Sequence, residues 1–296
     1  MAIVKRVVLF VLVNVLILTT VSFVFTIVSS VLGIQMDGQM SSWMLYYVIL
    51  GFGGAFISLA LSRQMAKWMM GVRVIDPNTQ NPHERRLLET VHSLAQKARL
   101  PKMPQVGIYD SPEVNAFATG PTKARALVAV STGLLGRMDN DAVEGVLGHE
   151  VAHIANGDMV TMTLVQGVIN TLVLIIARLL ANVVAGQVEE RSRPWVQFAV
   201  FMVLQIVLSI LGSIVVCYFS RAREFRADAG GARLAGRDRM LSGLKSLRHV
   251  YGHVDDEHQS IASLKISGHS KRSIMALFMT HPPLEDRIRR LETLAL

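Results

Sequence analysis

The sequence predicts an α+β protein, mostly helical, with four transmembrane helices and a polar domain that contains a small sheet. Three observations predict this: four long stretches almost free of charge, a cluster of short β-prone runs between turn residues, and amphipathic helical stretches on either side of that cluster. Apolar residues fill 51% of the 296 positions and charged residues only 18%, a balance foreign to a soluble enzyme.

Residues 7–32 carry no charge and exceed the roughly 20 residues that cross a bilayer as a helix. Residues 43–61 form a second run, residues 159–185 a third broken only by Arg178, and residues 195–219 a fourth without charge. Lys5 and Arg6 before the first run resemble the start of a signal peptide. The run is too long for one, however, and no clear small-residue cleavage site follows, so an anchor is expected. Arg63, Lys67 and Arg73 follow the second run while Asp37 is the only charge in the preceding connection, which puts the polar domain in the cytoplasm. Arg191 and Arg193, beside Glu189 and Glu190, pull weakly the other way. Arg178 is expected to snorkel toward headgroups along its long side chain.

The formal charge of +8 is explained by basic residues at membrane ends and on cytoplasmic faces, so no nucleic-acid partner is expected. The single cysteine, Cys217, falls in the fourth apolar run, where it reads as a small buried hydrophobe. With no second cysteine there is no disulfide within the chain, which suits a reducing compartment.

Within the polar part, residues 84–98 place Leu87, Leu88, Val91, Leu94 and Ala95 on one helical face. Strands are expected at residues 106–109, 114–118 and 126–131, with Asp110-Ser111-Pro112 and Gly120-Pro121 as turns between them. Further helices are expected at 221–235, 241–251 and 284–294. Residues 252–270 hold His253, His258 and His269 at spacings that build no closed ligand shell, so a solvated loop is expected there. The resulting organisation is an anchor (residues 1–66), a first polar part with the motif described next (67–158), a membrane hairpin (159–219) and a second polar part (220–296).

His149 and His153 stand four apart with Glu150 between them. Asp139 or Asn140 as a cap and Asn156-Gly157 as a stop set this pattern inside a helix, so both imidazoles face one point. Zinc accepts such nitrogen ligands, and Glu150 lies within reach of a water held there. The same pattern also occurs on ordinary wet helices. A third ligand is supplied by Glu224, which shares a helical face with Asp228. Two membrane crossings separate Glu224 from His153 and return the chain to the side it left. The alternative is that both acids pair with Arg221, Arg223 and Arg226 on the surface.

Together with residues 114–118 and His281-Pro282-Pro283, these features make the chain resemble the HtpX family of bacterial membrane zinc metalloproteases, relatives of the eukaryotic CAAX prenyl proteases. The resemblance covers most of the length. It implies a gluzincin-like protease domain that binds one zinc ion per chain through His149, His153 and Glu224, with Glu150 as general base. It makes Asp228 the acceptor of a ligand histidine's free ring N–H. It also implies that residues 114–118, through Asn115, Ala116 and Phe117, form an edge strand to which a peptide substrate adds. His281 and Arg287 then serve either the oxyanion and the site wall or only the Pro-Pro turn. The implied setting is the bacterial inner membrane with the site facing the cytoplasm, the bilayer as partner, and membrane or misfolded proteins as substrates in quality control and stress response. Two rivals are an intramembrane-cleaving protease, disfavoured by Asp139, Asp141 and Glu144 on the motif helix, and a non-proteolytic metal scaffold, disfavoured by apolar runs that only Arg178 interrupts.

Overall fold

The computed structural model describes residues 39–257 and 277–294. The first apolar run, His258 and His269 lie outside the described residues. In chain order the elements are helix α1 (Gln39–Met69), strand β1 (Arg73–Val74), α2 (Pro82–Lys97), β2 (Gln105–Tyr109), β3 (Ala116–Thr119), β4 (Leu127–Ser131), α3 (Thr132–Arg137), α4 (Asn140–Asn156), α5 (Asp158–Ala185), α6 (Arg193–Ala235), α7 (Arg237–Glu257) and α8 (Leu284–Thr293). Three described helices, α1 from Tyr47, α5 and α6, are long and apolar enough to cross a membrane.

The chain forms two compact units. One comprises Met1–Phe56 and Thr163–Ser213. Within it Tyr47 of α1 stacks near Phe201 of α6, ring centroids 6.4 Å apart. Arg178 of α5 does not only reach outward: its guanidinium lies 5.1 Å from the Trp43 ring centroid, a cation over an aromatic face. This contact gives a costly charge a partner within the helices themselves.

The second unit comprises Ile57–Met162 and Ile214–Leu296. Its four-stranded sheet has the order β1-β2-β4-β3, with β2 and β4 parallel and β3 antiparallel at the edge beside β4. Every residue of β4 is buried, because alternate side chains serve different layers. Val128 and Val130 pack with Val106 against Leu87, Val91 and Leu94 of α2 and Leu147, Val151 and Ile154 of α4. Leu127 and Ala129 turn the other way, to Val72 and Tyr109. The apolar face expected for α2 is its buried face, and Asn81 caps it by accepting from the His83 N–H, with Pro82 at the first turn.

Three expectations on elements change, and two short elements are added. The strand expected at 114–118 starts only at Ala116, because Ser131 Oγ accepts from Asn115 N–H and the Ser131 N–H donates to the Asn115 carbonyl, holding Asn115 just ahead of the ladder. The fourth apolar run and the helix expected at 221–235 are one 43-residue helix, since no proline follows Pro194 to interrupt it. Residues 252–257, expected in a loop with His253, continue α7. The two-residue β1 and six-residue α3 are too short for periodicity to reveal.

Candidate metal centre

The site begins with the capping of α4. Asp139 accepts from the Ala142 N–H at the start, and Gly157 ends the helix at φ 72, in the left-handed region where glycine is strain-free, its N–H donating to the His153 and Ile154 carbonyls. The fixed helix carries His149 and His153 on one buried face, 7% and 8% exposed. Their rings are perpendicular, with centroids 4.5 Å apart and Nε2 atoms 3.0 Å apart.

Helix α6 reaches this face at Glu224, which has no exposed surface. Glu224 Oε2 is 3.4 Å from His149 Nε2, and Oε1 is 3.4 Å from His153 Nε2. Close approach depends on Gly231: a Cβ there would meet the His149 backbone nitrogen at 2.9 Å. One ligand atom from each of His149, His153 and Glu224 lies within 4.8 Å of the other two. Buried Glu224 Oε1 makes no hydrogen bond, an omission that costs free energy unless a cation completes the site.

Each imidazole is oriented from behind. His149 Nδ1 is 2.9 Å from Asp228 Oδ1, and His153 Nδ1 is 2.7 Å from Asp158 Oδ2. Carboxylates only accept, so both Nδ1 atoms carry a proton, and each ring turns its Nε2 toward Glu224. Arg287 of α8 grips Asp228 with two bonds, Nε to Oδ2 at 2.8 Å and Nη2 to Oδ1 at 2.6 Å. His281 Nδ1 donates to Glu224 Oε2 at 2.9 Å. Burial favours neutral imidazoles, but Asp158 and Glu224 push His153 up to about 9, and Asp228 with Glu224 raise His149. Among the described residues three buried carboxylates, Asp158, Glu224 and Asp228, face Arg287 and the two imidazoles, so the site favours positive charge at the imidazoles, which a bound cation also supplies.

The surface reading of Glu224 and Asp228 is replaced: both are buried, Arg221 instead donates to the carbonyls of Leu277 and Met279, and Arg223, at 3.5 Å, and Arg287, at 3.8 Å, are the arginines near Glu224 among the described residues. Glu150 lines a cavity of about 320 Å³ with His149, Glu224, Asn115 and Ala116. Phe117 does not join that lining; it packs with Tyr109 on the other layer, ring centroids 5.7 Å apart. Asp158, one position before the third apolar run, is not among the site residues expected from the sequence. Its signal was an acid five positions beyond His153, directly after the Gly157 stop and before an apolar run.

The description "Peptidase family M48" matches residues 81–295. The chain is 52% identical over 296 residues to a Bacillus velezensis protein named Protease HtpX homolog, with 97% of this chain and 99% of the relative covered. It is 50% identical over 290 residues to the Protease HtpX of Idiomarina loihiensis, covering 97% and 99%. Among solved structures, S. mikatae Ste24p shares the fold with a TM-score of 0.57 at 18% identity; the match covers 90% of this chain, which spans 65% of the Ste24p chain. Identity at this level along nearly the whole of both chains joins the helix-borne His-His-Glu cluster to one lineage, and the chain belongs to peptidase family M48.

Proposed function

We propose that this chain is a multi-pass membrane zinc endopeptidase in which His149, His153 and Glu224 hold the metal and Glu150 is the general base. The observation that carries the reading is the convergence of two oriented imidazoles and an orphaned carboxylate oxygen beside a cleft that Glu150 also lines. Bound zinc supplies a Lewis acid for the scissile carbonyl and lowers the pKa of its water.

The remaining work falls to the chain. Glu150 takes the proton from the attacking water and delivers it to the leaving amine, a transfer worth roughly 10²–10⁴ in rate. Asp228, held by Arg287, and Asp158 keep the two ligand imidazoles in one tautomer and orientation. The edge strand β3, with Ala116 at its start and Asn115 just before it, offers main-chain groups to an extended peptide, so affinity depends little on substrate side chains. Such tolerance suits membrane or misfolded proteins as substrates. The reading includes an anchor over residues 1–66, protease segments 67–158 and 220–296 divided by the hairpin 159–219, and a site facing the cytoplasm from the bacterial inner membrane, as the flanking charges suggest.

The test is purified full-length protein assayed for zinc content and for cleavage of an unfolded protein. Glu150→Gln is expected to keep full zinc and lose at least about a hundredfold in cleavage. Glu224→Ala is expected to lose zinc as well. Undiminished cleavage by Glu150→Gln, or full zinc in Glu224→Ala, overturns the assignment.

A further inference from the structure

A second cavity, of about 810 Å³, lies between the C-terminal half of α6, the turn at residues 277–283, and α8. We propose that it binds the anionic headgroup of a membrane phospholipid, with the phosphate diester at Arg221, Arg226 and Arg290 and an acyl chain along the apolar wall.

Position is the first argument. The uncharged stretch of α6 ends at Phe219, so Arg221 and Arg226 fall in the next two turns, where a spanning helix emerges among headgroups. Charge is the second. The lining includes four arginines and two acids, but Arg287 and Asp228 neutralise each other through their paired bonds. Of the other three, Arg290 has no acidic partner among the described residues, and Asp286 lies 3.9 Å from Arg289. Two of the three are already ordered: Arg221 Nη1 donates to the Leu277 and Met279 carbonyls at 3.1 and 2.7 Å, and Arg290 lies 4.6 Å from the Phe225 ring centroid. Ordered guanidinium groups bind phosphate oxygens with less entropy loss. Arg226, with its side chain 62% exposed, comes no nearer to Asp158 than 3.8 Å.

The third argument is that the cavity is two-faced. Tyr218, Leu277, Met279 and Leu291 supply an apolar wall beside the arginines. A free phosphate gains nothing from such a wall, whereas an amphiphile buries its chain there. Asp228, His281 and Arg287 also line this cavity, so a bound headgroup lies next to the groups that orient His149 and Glu224.

The experiment uses the full-length Glu150→Gln protein, which avoids self-cleavage, in a zwitterionic detergent. Native mass spectrometry is run with phosphatidylglycerol, phosphatidylcholine or inorganic phosphate, and zinc content checks that each variant is folded. Phosphatidylglycerol is expected to bind one per chain and the other two not to bind. Arg226→Gln is expected to weaken binding about fivefold and Arg226→Gln with Arg290→Gln about 25-fold, at about a fivefold loss per arginine near a headgroup. Arg85→Gln with Arg86→Gln, exposed on α2, is expected to leave it unchanged. Equal binding of inorganic phosphate makes the ligand a free anion and overturns the proposal. Absence of phosphatidylglycerol binding, or equal weakening by the two pairs of substitutions, also overturns it.

Discussion

At His153 the ring is fixed at both ends: Nε2 faces Glu224, and Nδ1 donates to Asp158, which is 2% exposed at the first position of α5. Losing that acceptor frees the ring to turn. Asp158→Ala is therefore expected to weaken zinc affinity roughly 10–100-fold, as loss of an imidazole's carboxylate partner does, with the zinc-free protein still folded. Competition with a zinc chelator measures it, and unchanged affinity would show that Asp158 serves only the helix start. Glu84, far from the metal, gives a pH-dependent signature. The Thr79 hydroxyl and then the Arg73 guanidinium, each at 2.7 Å, hold its carboxyl below its ordinary 4.5. A depressed acid contributes stability that is complete above 4.5 and disappears as pH falls through the lower folded value. Glu84→Gln should accordingly melt earlier than wild type at neutral pH, with the gap closing in acid. A gap independent of pH would mean that the ion pair contributes nothing.

At the scale of elements, the site depends on how closely α6 lies against α4. Gly231 sits against the His149 backbone, and a Cβ there would meet that backbone nitrogen and the Met240 sulfur, each at 2.9 Å, of which only the methionine can move aside. Gly231→Val is expected to cost about 1–3 kcal/mol through overpacking and to reduce zinc content by moving Glu224 off the imidazoles. Melting temperature and metal analysis together check this; destabilisation with full zinc content would separate packing from ligand geometry. Helices α2 and α4 were legible in the sequence because their caps, apolar spacing and stops agree. The start of β3 was not, because Ser131, fifteen positions or more away, decides it through its side chain. The unbroken passage of α6 from apolar run to Glu224 was hidden by the change in composition at Ser220, although nothing in the backbone breaks there.

For the molecule as a whole, the candidate metal ligands His153 and Glu224 are separated in the chain by α5 and the apolar part of α6, both long and apolar enough to cross a membrane. In the proposed topology two crossings return the chain to the side it left, so that both polar parts share one aqueous side. With Cys217→Ser as background, single cysteines at Asp37 and Glu190 are expected to react with a membrane-impermeant thiol reagent added outside intact cells, and one at Arg86 only after lysis. The reverse pattern would place the polar domain outside the cytoplasm.

The sequence by itself determined the local pieces: the apolar runs, the α2 face, the His149–His153 register and its caps. All depend on neighbours within a few residues, where periodicity and capping chemistry act. Glu224 was nameable because it repeats the same i, i+4 logic with Asp228. Only the tertiary structure decided that Asp228 serves His149 while Asp158 serves His153, that Arg287 locks Asp228, and that His281 donates to Glu224. Apart from His153 with Asp158, those pairings join residues at least 57 positions apart, and burial rather than spacing selects them, because each buried polar group must find whichever partner the packed helices bring within reach.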